Sequence, residues 1–214
     1  PAPDCRRSPR ARRGSVGRSD GERSAFVSRR SPPFMRERFV QMIRRESEHQ
    51  QAGRGGRILA KMNALVDPDM MAALYEASRA GVQVDLIIRG ICCLRPGVPG
   101  VSDNIRVLSI IGRFLEHSRA FYFRNGGQEE VYIGSADWMP RNLDRRIEAA
   151  VPLRDVIHRN TVRNLLELMW KDNRQAWELR PDGTYEQRRP PAEGPEHATH
   201  RVLLEHAREI MRAG

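Results

Sequence analysis

The chain is poor in cysteine, in lysine and in long apolar runs. It holds three cysteines among 214 residues, Cys5, Cys92 and Cys93. An odd count with an adjacent pair makes neither a disulfide framework nor a CxxC metal site, and it favours a reducing compartment such as the cytoplasm. No apolar segment approaches the roughly 20 residues that a membrane-spanning helix needs. No apolar core follows the N-terminal charges, so the sequence predicts no secretory signal.

Large apolar residues are also scarce at the N-terminus. Hydrophobic residues make up 39% of the chain, and residues 1–33 consist mainly of Arg, Ser, Pro and Gly. This segment has nine arginines against three acidic residues, and so carries +6 of the net charge of +10. We therefore predict a disordered tail over residues 1–33. Such a tail could be a nucleic-acid arm, but it lacks the interleaved aromatic residues that stack on bases, which favours a merely solvated segment.

The remaining +4 belongs to the folded part, where a basic balance suits nucleic acid, an anionic membrane or a polyphosphate-like substrate. The chain has 37 basic residues, of which two, Lys61 and Lys171, are lysines. Arginine favours bidentate contacts with phosphate. Because such a bias often reflects genome composition, we give it little weight.

The apolar pattern predicts an α/β fold. Residues 57–62 and 82–88 are strands, and a helix over residues 67–80 separates them, with Pro68 in its first turn and Gly81 at its end. A strand, a helix and a strand within about thirty residues form a βαβ unit with parallel strands. Further strands are predicted at 120–123, 130–133 and 145–152, helices at 34–49, 155–171 and 198–211, and a small hairpin at 177–185. Residues 105–111 read as a strand or a short apolar turn, and residues 190–195 as a linker.

Polar residues collect where the predicted strands end. Several arginines with one histidine and two carboxamides make a poor zinc site but a good anion site, so we predict no metal ligand in the chain. In open α/β sheets, ligands bind outside the carboxyl ends of the strands. The candidate site residues are Lys61, Asn63, Arg89, His117, Arg119, Ser135, Asp137, Arg141, Asn142 and Arg146.

His117 is the candidate catalytic residue. A cation, Arg119, follows it by two residues, and a Gly-Ser turn at residues 134–135 follows the next strand pair. An imidazole can be phosphorylated or can protonate a leaving oxygen, while a cation stabilises phosphate charge. This arrangement suits phosphoryl transfer. The simpler alternative is a partly buried histidine beside an unrelated arginine.

Two further residues carry alternative interpretations. Arg89 follows the second strand, where it could contact a phosphate or could be an exposed strand-end charge. Asp137 could orient His117 by accepting an imidazole N–H, as carboxylates do for catalytic histidines. It could equally form an Asx turn or a local cap.

Five segments together resemble the bacterial polyphosphate kinases, in order and at the same spacing. They are ILAKMNALVD at 58–67, RGICCLRPG at 89–97, SDNI at 102–105, RFLEHSR at 113–119 and SADWMPRNLDRRIE at 135–148. The resemblance runs from about residue 33 to the C-terminus, and it covers only the C-terminal domain of a much longer family. It implies a phospholipase D-like domain over residues 34–214, with a mixed sheet and flanking helices.

The resemblance also implies an activity. The family transfers the terminal phosphate of ATP to a histidine and then to inorganic polyphosphate, reversibly and with Mg²⁺. The phosphorylated histidine belongs to a preceding domain that residues 1–33 do not match. We therefore expect a C-terminal fragment that supplies ATP- and polyphosphate-contacting residues and could be inactive alone.

The implied roles follow residue by residue. His117 resembles the family's second histidine, which contacts ATP, and Arg89 resembles an arginine that contacts the ATP phosphates. Arg119 stands where phospholipase D-type motifs have lysine, and Pro140 where the family often has threonine. The other matching positions, taken as supporting residues, are Asp137, Arg141, Asn142 and Arg146.

The resemblance implies ATP, ADP and polyphosphate as partners, a homo-oligomer in the full-length family, and no specific nucleic acid. The cytoplasm is the expected location, and peripheral membrane association is compatible with it.

Two alternatives from other classes stay open. One is a basic polyanion- or nucleic-acid-binding module that uses the Arg-rich tail. The other is a homodimeric phospholipase D-type phosphodiesterase in which His117 of each chain meets in one cleft.

Overall fold

The structure, a computed structural model, describes residues 26–27 and 33–213. The strands of this part are β1 (Phe26–Val27), β2 (Arg57–Met62), β3 (Gln83–Ile88), β4 (Ile105–Ile110), β5 (Arg119–Phe123), β6 (Glu130–Gly134), β7 (Ala149–Pro152), β8 (Ala176–Leu179) and β9 (Tyr185–Gln187). The helices are α1 (Pro33–Gln51), α2 (Pro68–Arg79), α3 (Pro140–Arg145), α4 (Val156–Trp170) and α5 (Thr199–Ala213). A short 3₁₀ helix, Asn125–Gly127, joins β5 to β6.

The nine strands described form one mixed sheet in the order β1-β7-β6-β5-β2-β3-β4-β8-β9. The central strands β2, β3 and β4 are parallel, as the βαβ pattern predicts. The other pairs are antiparallel, including the central pair of β2 and β5, in which Ala60 lies opposite Phe121. This mixed sheet with flanking helices confirms the predicted fold class.

Helices cover both faces of the sheet because side chains on a strand alternate between its faces. Ile58 and Ala60 of β2 belong to a buried cluster with α1 and α2, to which Phe39 contributes. Leu59 belongs to a second cluster, on the face that α4 covers with Leu166 and other apolar residues. None of the described helices is both long and apolar enough to cross a membrane.

Asp67 fixes the start of α2. Its carboxylate accepts a hydrogen bond from the backbone N–H of Met70, and Pro68 occupies the first turn, where its missing N–H costs nothing. The same carboxylate, fully buried, pairs with Arg36 of α1 at 2.8 Å. Arg36 also reaches Asp144 of α3 at 2.6 Å. One guanidinium therefore joins three helices.

The structure differs from the sequence-based prediction between β6 and β7. The predicted strand over 145–152 is wrong in its first half, since β7 begins at Ala149 and residues 140–145 form helix α3. Pro140 begins that helix, because proline is tolerated at the first helical position. The predicted tail over 1–33 lies mostly outside the described residues. Its residues Phe26–Val27 pair with β7.

We expect Arg36→Met to lower the free energy of unfolding by about 3 kcal/mol, because it leaves the buried carboxylate of Asp67 without its cation. The matched control is Arg44→Met on the same helix. The Arg44 side chain is 63% exposed and lies 3.8 Å from Glu76. It should lower the free energy of unfolding by less than about 0.5 kcal/mol. Urea denaturation measures both values, and equal losses would contradict the proposed three-helix junction.

Candidate functional site

The candidate site lies at one edge of the sheet, where four strand ends meet. Asn63 follows β2 and Arg89 follows β3, and these parallel strands end at the same edge. β5 runs antiparallel to β2, so its first residue, Arg119, begins at that edge. β6 runs antiparallel to β5 and returns to the edge, where Arg119 lies opposite Gly134 and Ser135 follows. Topology thus gathers residues that are far apart in sequence.

These strand ends surround a cleft of about 580 Å³. Nine of the ten predicted site residues line it, and Lys61 does not. The lining residues are Asn63, Ala64, Arg89, Ile91, His117, Arg119, Ser135, Asp137, Met139, Arg141, Asn142, Arg146 and Glu148. The structure therefore brings the predicted residues together, while the role of each stays a prediction.

Lys61 belongs beneath the cleft rather than in it. It is 1% exposed, and its Nζ donates to the carbonyl of Ser118 at 3.0 Å and lies 3.1 Å from the carboxylate of Glu116. Burial lowers the pKa of Lys61, and the charge of Glu116 opposes that shift. Lys61 therefore does not line the cleft, and its predicted supporting role stays a prediction. Lys61 instead contacts the loop that carries His117.

Asp137 pairs with Arg119. Its two carboxylate oxygens lie 3.2 Å from Nε and 3.1 Å from Nη2 of Arg119. They also accept from the backbone N–H of Asn63 at 2.7 Å and from its side-chain amide at 3.2 Å. The suggested hydrogen bond from His117 to Asp137 is not formed, because the guanidinium of Arg119 lies between the two.

Arg119 contacts His117 directly. Its Nη1 lies 3.0 Å from Nδ1 of the imidazole and donates to the His117 carbonyl oxygen at 2.8 Å. A guanidinium has donors only, so Nδ1 must accept. The proton of the neutral ring then lies on Nε2. This geometry makes Nε2 of the neutral ring a hydrogen-bond donor.

Arg89 joins the same network through Asn63. Its Nε donates to Oδ1 of Asn63 at 3.1 Å, while the amide nitrogen of Asn63 donates to Asp137. A continuous chain of hydrogen bonds therefore runs from Arg89 through Asn63, Asp137 and Arg119 to His117. It fixes the spacing between a cation just after β3, Arg89, and an imidazole just before β5, His117.

Glu148 is the lining residue that the sequence analysis missed as a site residue. It is 7% exposed, and it accepts a hydrogen bond from Ser135 Oγ and another from Asn142 Nδ2 at 2.6 Å. The Ser135 oxygen accepts in turn from the backbone N–H of Ala149 at 3.1 Å. Glu148 is the last residue of the segment at 135–148 that resembles the family, but a lone glutamate in a basic segment predicts no partner.

Arg141 and Arg146 are exposed at the cleft and form no ion pair with any described residue. The Oδ1 atom of Asn142 is buried beside them without a hydrogen-bond partner. The two lining carboxylates, Asp137 and Glu148, are already engaged with protein donors. Within the described part of the chain, the cleft therefore offers cations without a carboxylate partner, a feature typical of an anion site.

The described residues contain no group of three or more His, Cys, Asp or Glu side chains that could hold a metal ion. This agrees with the carboxylate contacts above, since a protein magnesium site needs free oxygen ligands.

Comparison with known proteins identifies the family. Residues 30–199 match the family described as polyphosphate kinase C-terminal domain 2. A polyphosphate kinase from Thermosynechococcus vestitus is 62% identical over 174 residues, which cover 81% of this chain and 24% of that protein. The crystal structure of polyphosphate kinase from Porphyromonas gingivalis superposes with a TM-score of 0.82 at 38% identity, covering 89% of this chain and 29% of that one.

A phospholipase D family member, Nuc from Salmonella typhimurium, has the same fold at 17% identity and a TM-score of 0.51, with coverage of 73% of this chain and 98% of that one. The chain spans about a quarter of the length of the polyphosphate kinase it matches. On the family match and these identities, the chain belongs to the polyphosphate kinase family and corresponds to its second, phospholipase D-like C-terminal domain.

Proposed function

We propose that this chain forms one wall of a site where the terminal phosphate of ATP is transferred reversibly to inorganic polyphosphate. The observation that carries the proposal is the cleft, which combines an imidazole N–H donor with three arginines in a member of the polyphosphate kinase family. His117 supplies the donor, and Arg89, Arg141 and Arg146 supply the charge. Protein catalysis of phosphoryl transfer consists mainly of positioning and charge stabilisation, and these groups provide both.

In the proposed mechanism, the arginines bind the non-bridging oxygens of the nucleotide and polyphosphate. His117 donates its Nε2 proton to a phosphate oxygen as charge develops on it, either as a hydrogen bond or as a general acid. Arg119 acts through His117 rather than on phosphate directly, because its nitrogens already contact Asp137 and His117. In this role Arg119 differs from the direct phosphate contact that the resemblance implied.

We assign the phosphorylated histidine to a part of the longer relatives that this chain does not cover. The contact between Arg119 and the His117 ring supports that assignment. Nδ1 of His117 accepts from Arg119, and its Nε2 then carries the proton, so neither nitrogen offers a free lone pair. The chain alone should therefore bind the substrates without completing the transfer.

Magnesium accompanies the nucleotide in this proposal. Asp137 and Glu148 hold Arg119, Asn63, Ser135 and Asn142, which leaves no lining carboxylate free for a metal. When bound, Mg²⁺ would neutralise phosphate charge opposite the arginines.

The cytoplasm and a homo-oligomeric full-length protein remain part of the proposal, the former because the cysteines favour a reducing compartment.

The two alternatives have weaker support. A tail-based polyanion-binding module depends on residues that lie mostly outside those described. A homodimeric phosphodiesterase needs a histidine nucleophile, and the contact between Arg119 and His117 opposes that role. The fold likeness to a phospholipase D family member adds nothing to the choice, since one fold hosts many chemistries.

Binding of tripolyphosphate by calorimetry tests the cleft. We expect Arg89→Gln and Arg146→Gln each to weaken binding about tenfold, the usual loss of one charge-assisted hydrogen bond. The matched control is Arg79→Gln, an exposed arginine at the end of α2, near the opposite edge of the sheet. It should change the affinity less than about twofold. Equal losses for all three variants would indicate a general charge effect and contradict the cleft.

Nitrogen-15 NMR of the imidazoles tests the proposed donor. In the unmodified chain we expect His117 to carry its proton on Nε2, with Nδ1 unprotonated, because Arg119 donates to Nδ1. The signal is assigned by its loss in His117→Gln. Arg119→Met should abolish the preference and give a mixture of tautomers, whereas Arg113→Met, in the same loop, should preserve it. A proton on Nδ1 in the unmodified chain would contradict the donor role.

A further inference from the structure

The loop that carries His117 depends on side chains outside it. Residues 111–118, here called the His117 loop, join β4 to β5 and expose Phe114 by 46% and Leu115 by 71%. No backbone hydrogen bond of the described chain joins two residues of this loop. The backbone N–H of Ile111 donates to the carbonyl of Gln175, and the carbonyl of Ser118 accepts from Lys61. The conformation of the loop is therefore imposed by its neighbours.

Three ionisable side chains form a buried row beneath the His117 loop. Nζ of Lys61 lies 3.1 Å from Oε2 of Glu116, and Oε1 of Glu116 lies 2.8 Å from Nε2 of His200. Lys61 is 1% exposed and His200 is 3% exposed, while the side chain of Glu116 is 15% exposed. Because Glu116 directly precedes His117, the row joins β2, the loop and α5 at the residue next to the imidazole of the cleft.

Both ring nitrogens of His200 have a defined partner. The backbone N–H of Phe114 donates to Nδ1 of His200 at 3.3 Å, so that nitrogen accepts. Nε2 therefore carries the proton of the neutral ring and donates to Glu116. The ring of Phe114 also lies against the imidazole, with centroids 5.5 Å apart. His200 thus holds the loop at two points, the backbone of Phe114 and the carboxylate of Glu116.

The loop lies directly against His200. A side chain at Gly112 would come within 2.5 Å of Nδ1 of His200 and 2.2 Å of the amide of Gln175, so only glycine fits there. The first turn of α5 is itself fixed, because the backbone N–H of Thr199 donates to the buried carboxylate of Asp172 at 2.7 Å. The anchor that holds the loop is therefore rigid.

Stability alone is a poor explanation for such a row. A buried ion pair often contributes nothing over apolar residues of the same volume, since desolvation of both charges offsets their attraction. What a hydrogen-bonded buried pair does supply is a single geometry. The row lies under the one histidine that lines the cleft, where a fixed position has a use. The cleft mechanism described above assigns no task to Lys61, Glu116 or His200.

We propose that Lys61, Glu116 and His200 clamp the His117 loop, and that His200 of α5 is a positioning residue for His117. The clamp itself needs no assumption about the reaction, whereas its role in positioning rests on the proposed function. In this proposal the first turn of α5 positions His117, although no side chain of α5 lines the cleft.

Hydrogen exchange on the full chain, read by mass spectrometry, tests the clamp without any ligand. We expect His200→Phe, which keeps the ring but loses both hydrogen bonds, to speed exchange in residues 111–118 about tenfold or more. Exchange in β2 and β3 should stay unchanged. The matched control is His206→Gln on the same helix, whose side chain is 69% exposed, and it should leave the loop unchanged. Unchanged exchange in a folded His200→Phe chain would overturn the clamp.

Two milder variants keep the test available if His200→Phe fails to fold. His200→Asn can still accept from Phe114, and His200→Gln can still donate to Glu116, so each should give a smaller increase in exchange.

Tripolyphosphate affinity tests positioning, and we expect each loosened variant to bind about three- to tenfold more weakly. A loosened loop with unchanged affinity would overturn the positioning role. If the unmodified chain binds no tripolyphosphate, the proposed function fails, while the exchange result still decides the clamp.

Discussion

The ion pair between Arg119 and Asp137 is the interaction on which the geometry of the cleft depends. Both side chains are largely buried, at 12% and 9% exposure, and two hydrogen bonds align the guanidinium with the carboxylate. The pair reaches His117 on one side and Asn63 with Arg89 on the other. The pair consequently sets the tautomer of the His117 imidazole and the spacing between His117 and Arg89. Most N–H donors of Arg119 are engaged by Asp137 and His117, which leaves few for phosphate.

An aromatic cluster holds this ion pair in place from below. Trp138, which follows Asp137, is fully buried and stacks on Phe121 of β5 with ring centroids 5.3 Å apart. Its carbonyl accepts from the backbone N–H groups of Val66 and Asp67, which ties the turn after β6 to the start of α2. Burial of such large rings contributes strongly to stability. The site thus lies directly on the hydrophobic core. Packing of the core against β5 holds Arg119 and Asp137 in place.

Much of this arrangement was predictable, and the exceptions have physical causes. Asp67, Pro68 and Gly81 define α2, and the strand ends of one βαβ unit must share an edge, so the proximity of Asn63 and Arg89 followed from the pattern. Arg119 joins them because β5 runs antiparallel to β2, a pairing that the βαβ pattern does not specify. Lys61 does not share the cleft with Asn63, because β2 ends at Met62 and the backbone bends at Asn63, so residues two apart no longer share a face. The partner of Asp137 was not predictable, since Arg119 and His117 lie two residues apart and both donate hydrogen bonds.

The central claim is that His117 donates a proton or a hydrogen bond to phosphate and does not accept the phosphoryl group. Incubation of the chain with magnesium and ATP that carries a radioactive terminal phosphate tests this most directly, with His117→Ala as the control. The account predicts no covalent label on either chain, even under conditions where ATP binds. A base-stable, acid-labile label on the unmodified chain that disappears in His117→Ala would contradict it.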